Sequence, residues 1–154
     1  MIGEELAFDG SVLQRLRDEG VYIAKTSGFS MRPLFKTHRD AVMIVPPQRE
    51  LRKYDIVLYT YDGKKYVLHR IVGFKGDVCL IRGDNTFVLE RIPKDRILGV
   101  VASFNRKGVR YDMTELSYRF YSVFWTFIYP LRYLLYQTRR VLSKIKHAIF
   151  KSQK

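Results

Sequence analysis

Between Val21 and Asp112 the chain repeatedly builds a short run of β-branched and aromatic residues and then breaks it with turn chemistry. V-Y-I-A-K-T, A-V-M-I-V, D-I-V-L-Y-T-Y, K-Y-V-L-H-R-I-V-G-F, D-V-C-L-I-R and R-I-L-G-V-V-A-S-F are the runs. Their lengths and composition are those of strands with at least one buried face. Asp62-Gly63, Lys75-Gly76-Asp77 and Lys107-Gly108 supply residues that tolerate tight reversals, so they are the expected hairpin tips. The expected fold is therefore mainly β, a coiled antiparallel sheet or partly open barrel over roughly residues 21–112. Ahead of it, Ser11 followed by V-L-Q-R-L-R-D-E and Gly20 reads as a short N-terminal amphipathic helix capped by Ser11, with Val12, Leu13 and Leu16 on one face.

After residue 112 the character changes, dividing the 154 residues into an expected β domain, 1–112, and a basic aromatic helical segment, 113–154. The formal net charge is +13, and residues 117–154 hold eight of the basic residues and no acidic one. Charge placed so unevenly calls for an anionic partner. Between Arg119 and Arg132 the uncharged run has 12 residues, against the roughly 20 needed to span a bilayer, so no crossing is expected. Leu134, Leu135, Val141, Leu142, Ile145, Ile149 and Phe150 recur at helical spacing opposite basic residues, which predicts amphipathic C-terminal helices. Aromatic residues beside such a helix suit the interface of an anionic membrane, with Trp125, Arg132, Arg139, Arg140, Lys144 and Lys146 in contact. A helix packed on its own domain or on a partner subunit has the same pattern, and nucleic acid is the less favoured anionic partner. The opening MIGEELAFDG is acidic and lacks a long apolar run, so it reads as neither a secretory signal nor an anchor. The expected location is peripheral to a membrane, on the cytoplasmic face.

Few side chains can carry covalent chemistry. Cys79 is the single cysteine and sits in the apolar run V-C-L-I, as a small strand residue would. Three scattered histidines make no metal-ligand spacing, and no metal or organic cofactor is implied. The segment S-G-F-S-M-R-P, Ser27 to Pro33, is more distinctive. Gly28 permits a tight bend and Pro33 stops a helix, so Ser30 should stand at a sharp turn. That display serves a nucleophile and equally an ordinary turn. A serine hydroxyl needs a base to take its proton. His147 belongs to the basic segment, His38 falls in the turn F-K-T-H-R-D, and His69 lies within the strand Y-V-L-H-R-I-V-G, where its ring would be held rigidly.

The order of these pieces is more specific than any one of them. G-F-S-M-R-P, Asp40 before a strand, L-R-K-Y-D-I-V-L-Y, L-H-R-I-V-G and R-G-D-N, spanning Ser27 to Val101, together resemble the superfamily that joins type I signal peptidases and LexA-type self-cleaving repressors. The resemblance implies a serine endopeptidase that cleaves a signal, leader or precursor peptide through an acyl-enzyme. It maps the nucleophile onto Ser30 and its base onto His69, where bacterial signal peptidases and the repressors have lysine and the endoplasmic-reticulum, archaeal and sporulation types have histidine. Lys64 and Lys65 fall before the motif position and read as solvated hairpin residues. Gly28 stands where signal peptidases place a serine that donates to the oxyanion, leaving backbone N–H groups around Gly28, Phe29 and Ser30 for that role. Asp84, by family position, is the favoured acid to orient His69, with Glu90 the alternative. Asp40 and Asp55 read as structural turn residues. Two other readings remain, a self-cleaving regulator of the repressor kind and a noncatalytic module that grips membrane or nucleic acid.

Overall fold

The computed structural model describes residues 6–7, 11–60 and 65–152. The expected hairpin tip at Asp62-Gly63, Lys64 and the side chain of Lys146 lie outside what it describes. Strands β2 (Tyr22–Lys25), β3 (Ala41–Val45), β8 (Ile97–Arg106), β4 (Ile56–Thr60), β5 (Lys65–Lys75), β6 (Val78–Arg82) and β7 (Glu90–Pro93) lie side by side in that order. The short β1 (Leu6–Ala7) pairs with β5, and β9 (Val109–Asp112) pairs with β8. Every pairing is antiparallel. Irregular register at Met43/Ile44, Leu58/Tyr59 and Ile71/Gly73 increases the local twist and helps curl the sheet into a half-barrel. Two of the expected tips are formed: Gly76 has φ +57°, and Lys107 and Gly108 both take positive φ, at 54° and 84°.

Alternation along β4 and β5 sorts the core into two clusters. Ile56, Leu58, Tyr66 and Leu68 face one side, with Val12 and Leu16 of helix α1 (Ser11–Asp18), Met31, Phe35 and Phe104. Val57, Tyr59, Val67 and Ile71 face the other, with Cys79, Ile81, Ile92 and Ile97. Phe104 holds the first cluster together, edge-on to Phe35 at 5.3 Å and stacked on Tyr111 at 5.1 Å. Burying a side chain of that size contributes about 2–3 kcal/mol. The same alternation sends His69 and Arg70, adjacent in β5, to opposite faces.

Helices α2 (Leu116–Phe127) and α3 (Tyr129–Ser152) follow without a loop between them. Ile128 N–H donates to the Phe124 carbonyl and Arg132 N–H to that of Ile128, so the helical ladder resumes past the junction. Pro130 falls in the first turn of α3, where its missing N–H is not needed. Among the described residues no helix is long and apolar enough to cross a membrane.

The inner face of α2 is fastened to the sheet by Arg70. Its guanidinium is 1% exposed, pairs with Asp84 at 2.7 and 2.8 Å, and donates to the Tyr118 hydroxyl at 2.7 Å and to Ser122 Oγ at 2.8 Å. Burial alone would lower its pKa, but the Asp84 carboxylate and the Tyr118 and Tyr121 hydroxyls raise it well above the ordinary arginine value. Tyr121 donates to Asp84 Oδ2 at 3.0 Å. Tyr118 also belongs to the first core cluster, so α2 packs on the β-sheet's own core.

Two residues expected at a membrane surface are turned toward the domain instead. Trp125 Nε1 donates to the Asp84 carbonyl at 2.9 Å, and Arg132 donates to the same oxygen while stacking on the Trp125 ring at 3.9 Å. The physical reason is that a buried carbonyl at the bend of the R-G-D-N segment needs donors, and α2 and α3 supply them. Arg139, Arg140 and Lys144 are exposed.

Arg70→Ala would leave Asp84 buried without its counter-charge, and a destabilisation of about 3–5 kcal/mol is expected. Urea unfolding followed by far-ultraviolet circular dichroism measures it. Tyr118→Phe, which removes one hydroxyl from the same guanidinium, should cost about 1 kcal/mol.

Candidate functional site

Ser30 stands at the start of a turn over residues 30–34, after Gly28 at φ +91°. Arg32 N–H donates to the Phe29 carbonyl at 3.2 Å and Phe35 N–H to that of Met31 at 3.0 Å. Met31 is fully buried beneath the turn and Phe29 is 58% exposed above it. The base of the loop is closed by Thr26, whose Oγ1 donates to the carbonyls of Lys36 and Asp40 at 3.1 Å, and by Asp40, which accepts from Lys36 N–H at 2.9 Å and pairs with Arg39. Burial opposes ionisation of Asp40, but the bonds from Arg39 and the Lys36 N–H outweigh it and hold the carboxyl below its usual range. Asp55 likewise pairs with Arg49 and accepts from Arg52 N–H, so both aspartates read as structural are structural. His38 is exposed at φ 58°, and Lys65 is exposed.

His69 is 2% exposed. Its Nδ1 lies 3.1 Å from Glu90 Oε2 and 3.0 Å from the Tyr59 hydroxyl, and that hydroxyl in turn donates to Glu90 Oε2. Nδ1 is thus held between the Glu90 carboxylate and the Tyr59 hydroxyl, and a hydrogen on Nδ1 would be accepted by the carboxylate. In the neutral ring with that hydrogen, Nε2 holds a lone pair. Nε2 is buried and has no hydrogen-bond partner among the described residues, hence no bond to Ser30 Oγ either.

Glu90, not Asp84, is the acid on His69. Asp84 is committed to Arg70, the neighbour on the other face of β5, because strand alternation separates the two side chains. Glu90 reaches Nδ1 from β7, which was not among the runs legible as strands. Tyr59 was missed altogether. A signal for it existed: pairing of β4 with β5 sets Val57 opposite His69 and Tyr59 opposite Val67, so Tyr59 shares the histidine's face.

R-G-D-N works residue by residue. Arg82 lies over the Tyr129 ring at 3.2 Å, which ties β6 to α3. Gly83 allows a close approach, since a Cβ there would sit 2.8 Å from the Ser30 carbonyl oxygen and 3.0 Å from His69 Nε2. Those two groups are therefore near neighbours, on the same side of Gly83. Asn85 N–H donates to the Ser30 carbonyl at 2.6 Å and its Nδ2 to that of Phe29 at 3.2 Å. The result is a fixed Ser30 backbone beside a fixed imidazole.

Ser30, itself only 4% exposed, lies on the wall of a cleft of about 360 Å³ with Phe29, Asn85, Phe87, Val88 and Tyr136. Phe87 stacks on Tyr136 at 4.3 Å, so α3 forms one side of the opening. Cys79 is buried away from it in the second core cluster, where burial raises its thiol pKa. Among the described residues no three His, Cys, Asp or Glu side chains gather as a metal site. No family model, curated protein or solved structure matches the chain.

Gly83→Ala should displace the Ser30 carbonyl or the imidazole, at a cost of about 1–3 kcal/mol. Asp84→Asn should destabilise the fold and Glu90→Gln should leave it nearly intact while altering the His69 ring. Thermal melts combined with histidine side-chain NMR check the contrast. A Glu90 variant without effect on the His69 resonances would place the orienting group elsewhere.

Proposed function

We propose that this chain is a serine endopeptidase of the kind that joins signal peptidases and self-cleaving repressors, with Ser30 as nucleophile, His69 as base and Glu90 with Tyr59 as the groups that orient the base. The observation that carries the reading is the setting of His69: Nδ1 lies against Glu90 and Tyr59, and Nε2 is buried without a hydrogen-bond partner among the described residues, next to the Ser30 backbone. A buried polar atom without a partner costs stability, and a catalytic use is one reason for a protein to keep one. The Ser30 hydroxyl would meet Nε2 in the substrate complex, since catalytic hydrogen bonds commonly tighten only when substrate is bound.

In the proposed reaction Ser30 Oγ attacks the scissile carbonyl while its proton passes to Nε2. The negative oxygen of the tetrahedral intermediate is stabilised by backbone N–H groups around Gly28, Phe29 and Ser30. As the C–N bond breaks, the leaving amine takes the proton from Nε2, and an acyl ester remains on Ser30. Water, activated by the same nitrogen, then releases the acid. Glu90 stabilises the imidazolium in each half without itself taking the proton. The substrate would be a signal, leader or precursor peptide, lying along the cleft with its side chains against Phe29, Phe87 and Val88. A histidine rather than a lysine base favours the peptidases over the repressors as a model.

Ser30→Ala, His69→Ala and the double variant, measured in single turnover on one cleavable peptide, test the reading. Each single substitution should lower the rate by a factor on the order of 10⁴ or more, and the double should be little worse than either, since the groups act as a unit. A fluorophosphonate probe should label Ser30 in the wild type and fail in both single variants. Labelling or turnover that survives His69→Ala in a folded protein would reject the pair.

A further inference from the structure

The helices have two faces of different chemistry. The inner face makes directional contacts through Tyr118, Tyr121, Ser122, Trp125, Arg132 and Tyr136. On the outer face of α2, Phe120 is 74% exposed and Phe127 is 81% exposed, with Val123 and Phe124 between them. Leu131, Leu134, Leu135, Val141, Leu142 and Ile145 extend the exposed apolar stripe along α3 on one helical face, with Thr138 between its two halves. A patch this continuous marks a surface that binds something. Beyond Tyr136 the case is stronger, because every described side chain from Thr138 to Ile145 is exposed. A helix with an apolar face and no tertiary packing is marginal in water.

Charge identifies the occupant. Residues 117–154 contain eight basic residues and no acid, and Arg119, Arg139, Arg140 and Lys144 are exposed on the two helices. A second copy of the chain would set one such basic stripe against another. A peptide or protein groove would not need an apolar stripe that runs from one helix into the next, broken at Thr138, without polar anchors along it. An anionic lipid surface supplies both an apolar layer and negative headgroups.

We propose that the outer face of α2 and α3 docks in the interface of an anionic lipid bilayer, with Phe120, Phe127 and Leu131 immersed and Trp125 held away from the lipid against the domain. This does not depend on the peptidase reading. Tyr136 stands both on α3 and at the cleft, so the docked helix would present the cleft mouth beside the membrane surface.

The test is flotation of the full chain with vesicles of phosphatidylcholine alone and of 70:30 phosphatidylcholine and phosphatidylglycerol. Binding is expected to the mixed vesicles and to weaken as salt rises. Arg139→Gln, Arg140→Gln and Lys144→Gln together should lower partitioning about a hundredfold, at about fivefold per charge. Phe127→Ser with Leu131→Ser should lower it by more than about tenfold with circular dichroism unchanged, since both residues are exposed. Trp125 is the only tryptophan, so brominated lipid should quench its fluorescence little in the bound state. Strong quenching would mean that the inner face enters the bilayer and would overturn the assignment. Concentration-dependent dimers without vesicle binding, or tighter binding to an oligonucleotide than to the mixed vesicles, would also overturn it.

Discussion

One buried ion pair ties together parts of this protein that lie far apart in the sequence. Arg70 comes from the middle of the longest described strand and Asp84 from the loop after β6, and the tyrosines and serine that complete the cluster come from α2. A guanidinium this buried is tolerated only when its donors are met. Asp84 takes bonds from Nε and Nη2, and the two hydroxyls on α2 share the two Nη1 hydrogens with the Tyr54 carbonyl at 3.2 Å. Were any element shifted by a residue, the arginine would be left with unmet donors in an apolar setting. The pair therefore sets where the helices sit more sharply than apolar contact alone would.

The same cluster bears on Ser30 through backbone. Asp84 is flanked by Gly83, which packs against Ser30 and His69, and by Asn85, which holds the Ser30 and Phe29 carbonyls. Its own carbonyl is fixed by Trp125 and Arg132. Asp84 is thus a positioning residue: it holds the segment that fixes the serine loop, while the histidine is oriented from the opposite face by Glu90 and Tyr59. Two adjacent residues of β5, His69 and Arg70, serve the two arrangements because their side chains leave the strand in opposite directions.

That alternation also explains what was legible. The six apolar runs all became strands and the tips at Gly76 and Lys107-Gly108 formed, because local composition and backbone preference decide those features. E-R-I-P has a single buried apolar residue, Ile92, so β7 had no period to read, and with it went the evidence for Glu90. Asp84 was favoured by family position alone, which locates a residue along the chain and says nothing of which face its partner occupies. Tyr59 looked like one more strand aromatic. Its polar role depends on cross-strand register, a long-range property that composition does not carry. For the helices, spacing revealed two faces but not which was inward, and Trp125 and Arg132 were placed outward when the carbonyl of Asp84 draws them in.

The contrast between those faces has a physical logic. Besides the apolar packing of Tyr118 and Tyr121, the inner face makes directional contacts: a phenol to a carboxylate, an indole N–H to a carbonyl, a guanidinium over a ring. Such contacts fix rotation about the helix axis and require one partner geometry. The outer face is mostly phenylalanine, leucine, valine and isoleucine, and the hydroxyl of Thr138 within it bonds back to the Leu135 carbonyl of its own helix. Apolar area of that kind gains from leaving water in any orientation. A protein partner would normally match it with shaped pockets and a few polar anchors. A lipid interface asks only for apolar depth and positive charge near the headgroups, and arginine and lysine at the margin can keep their charge in water while their stems lie along the apolar layer. On the proposed docking, a rigid inner face and a forgiving outer one would let the domain keep its cleft in fixed register with its own helices while resting on a fluid surface.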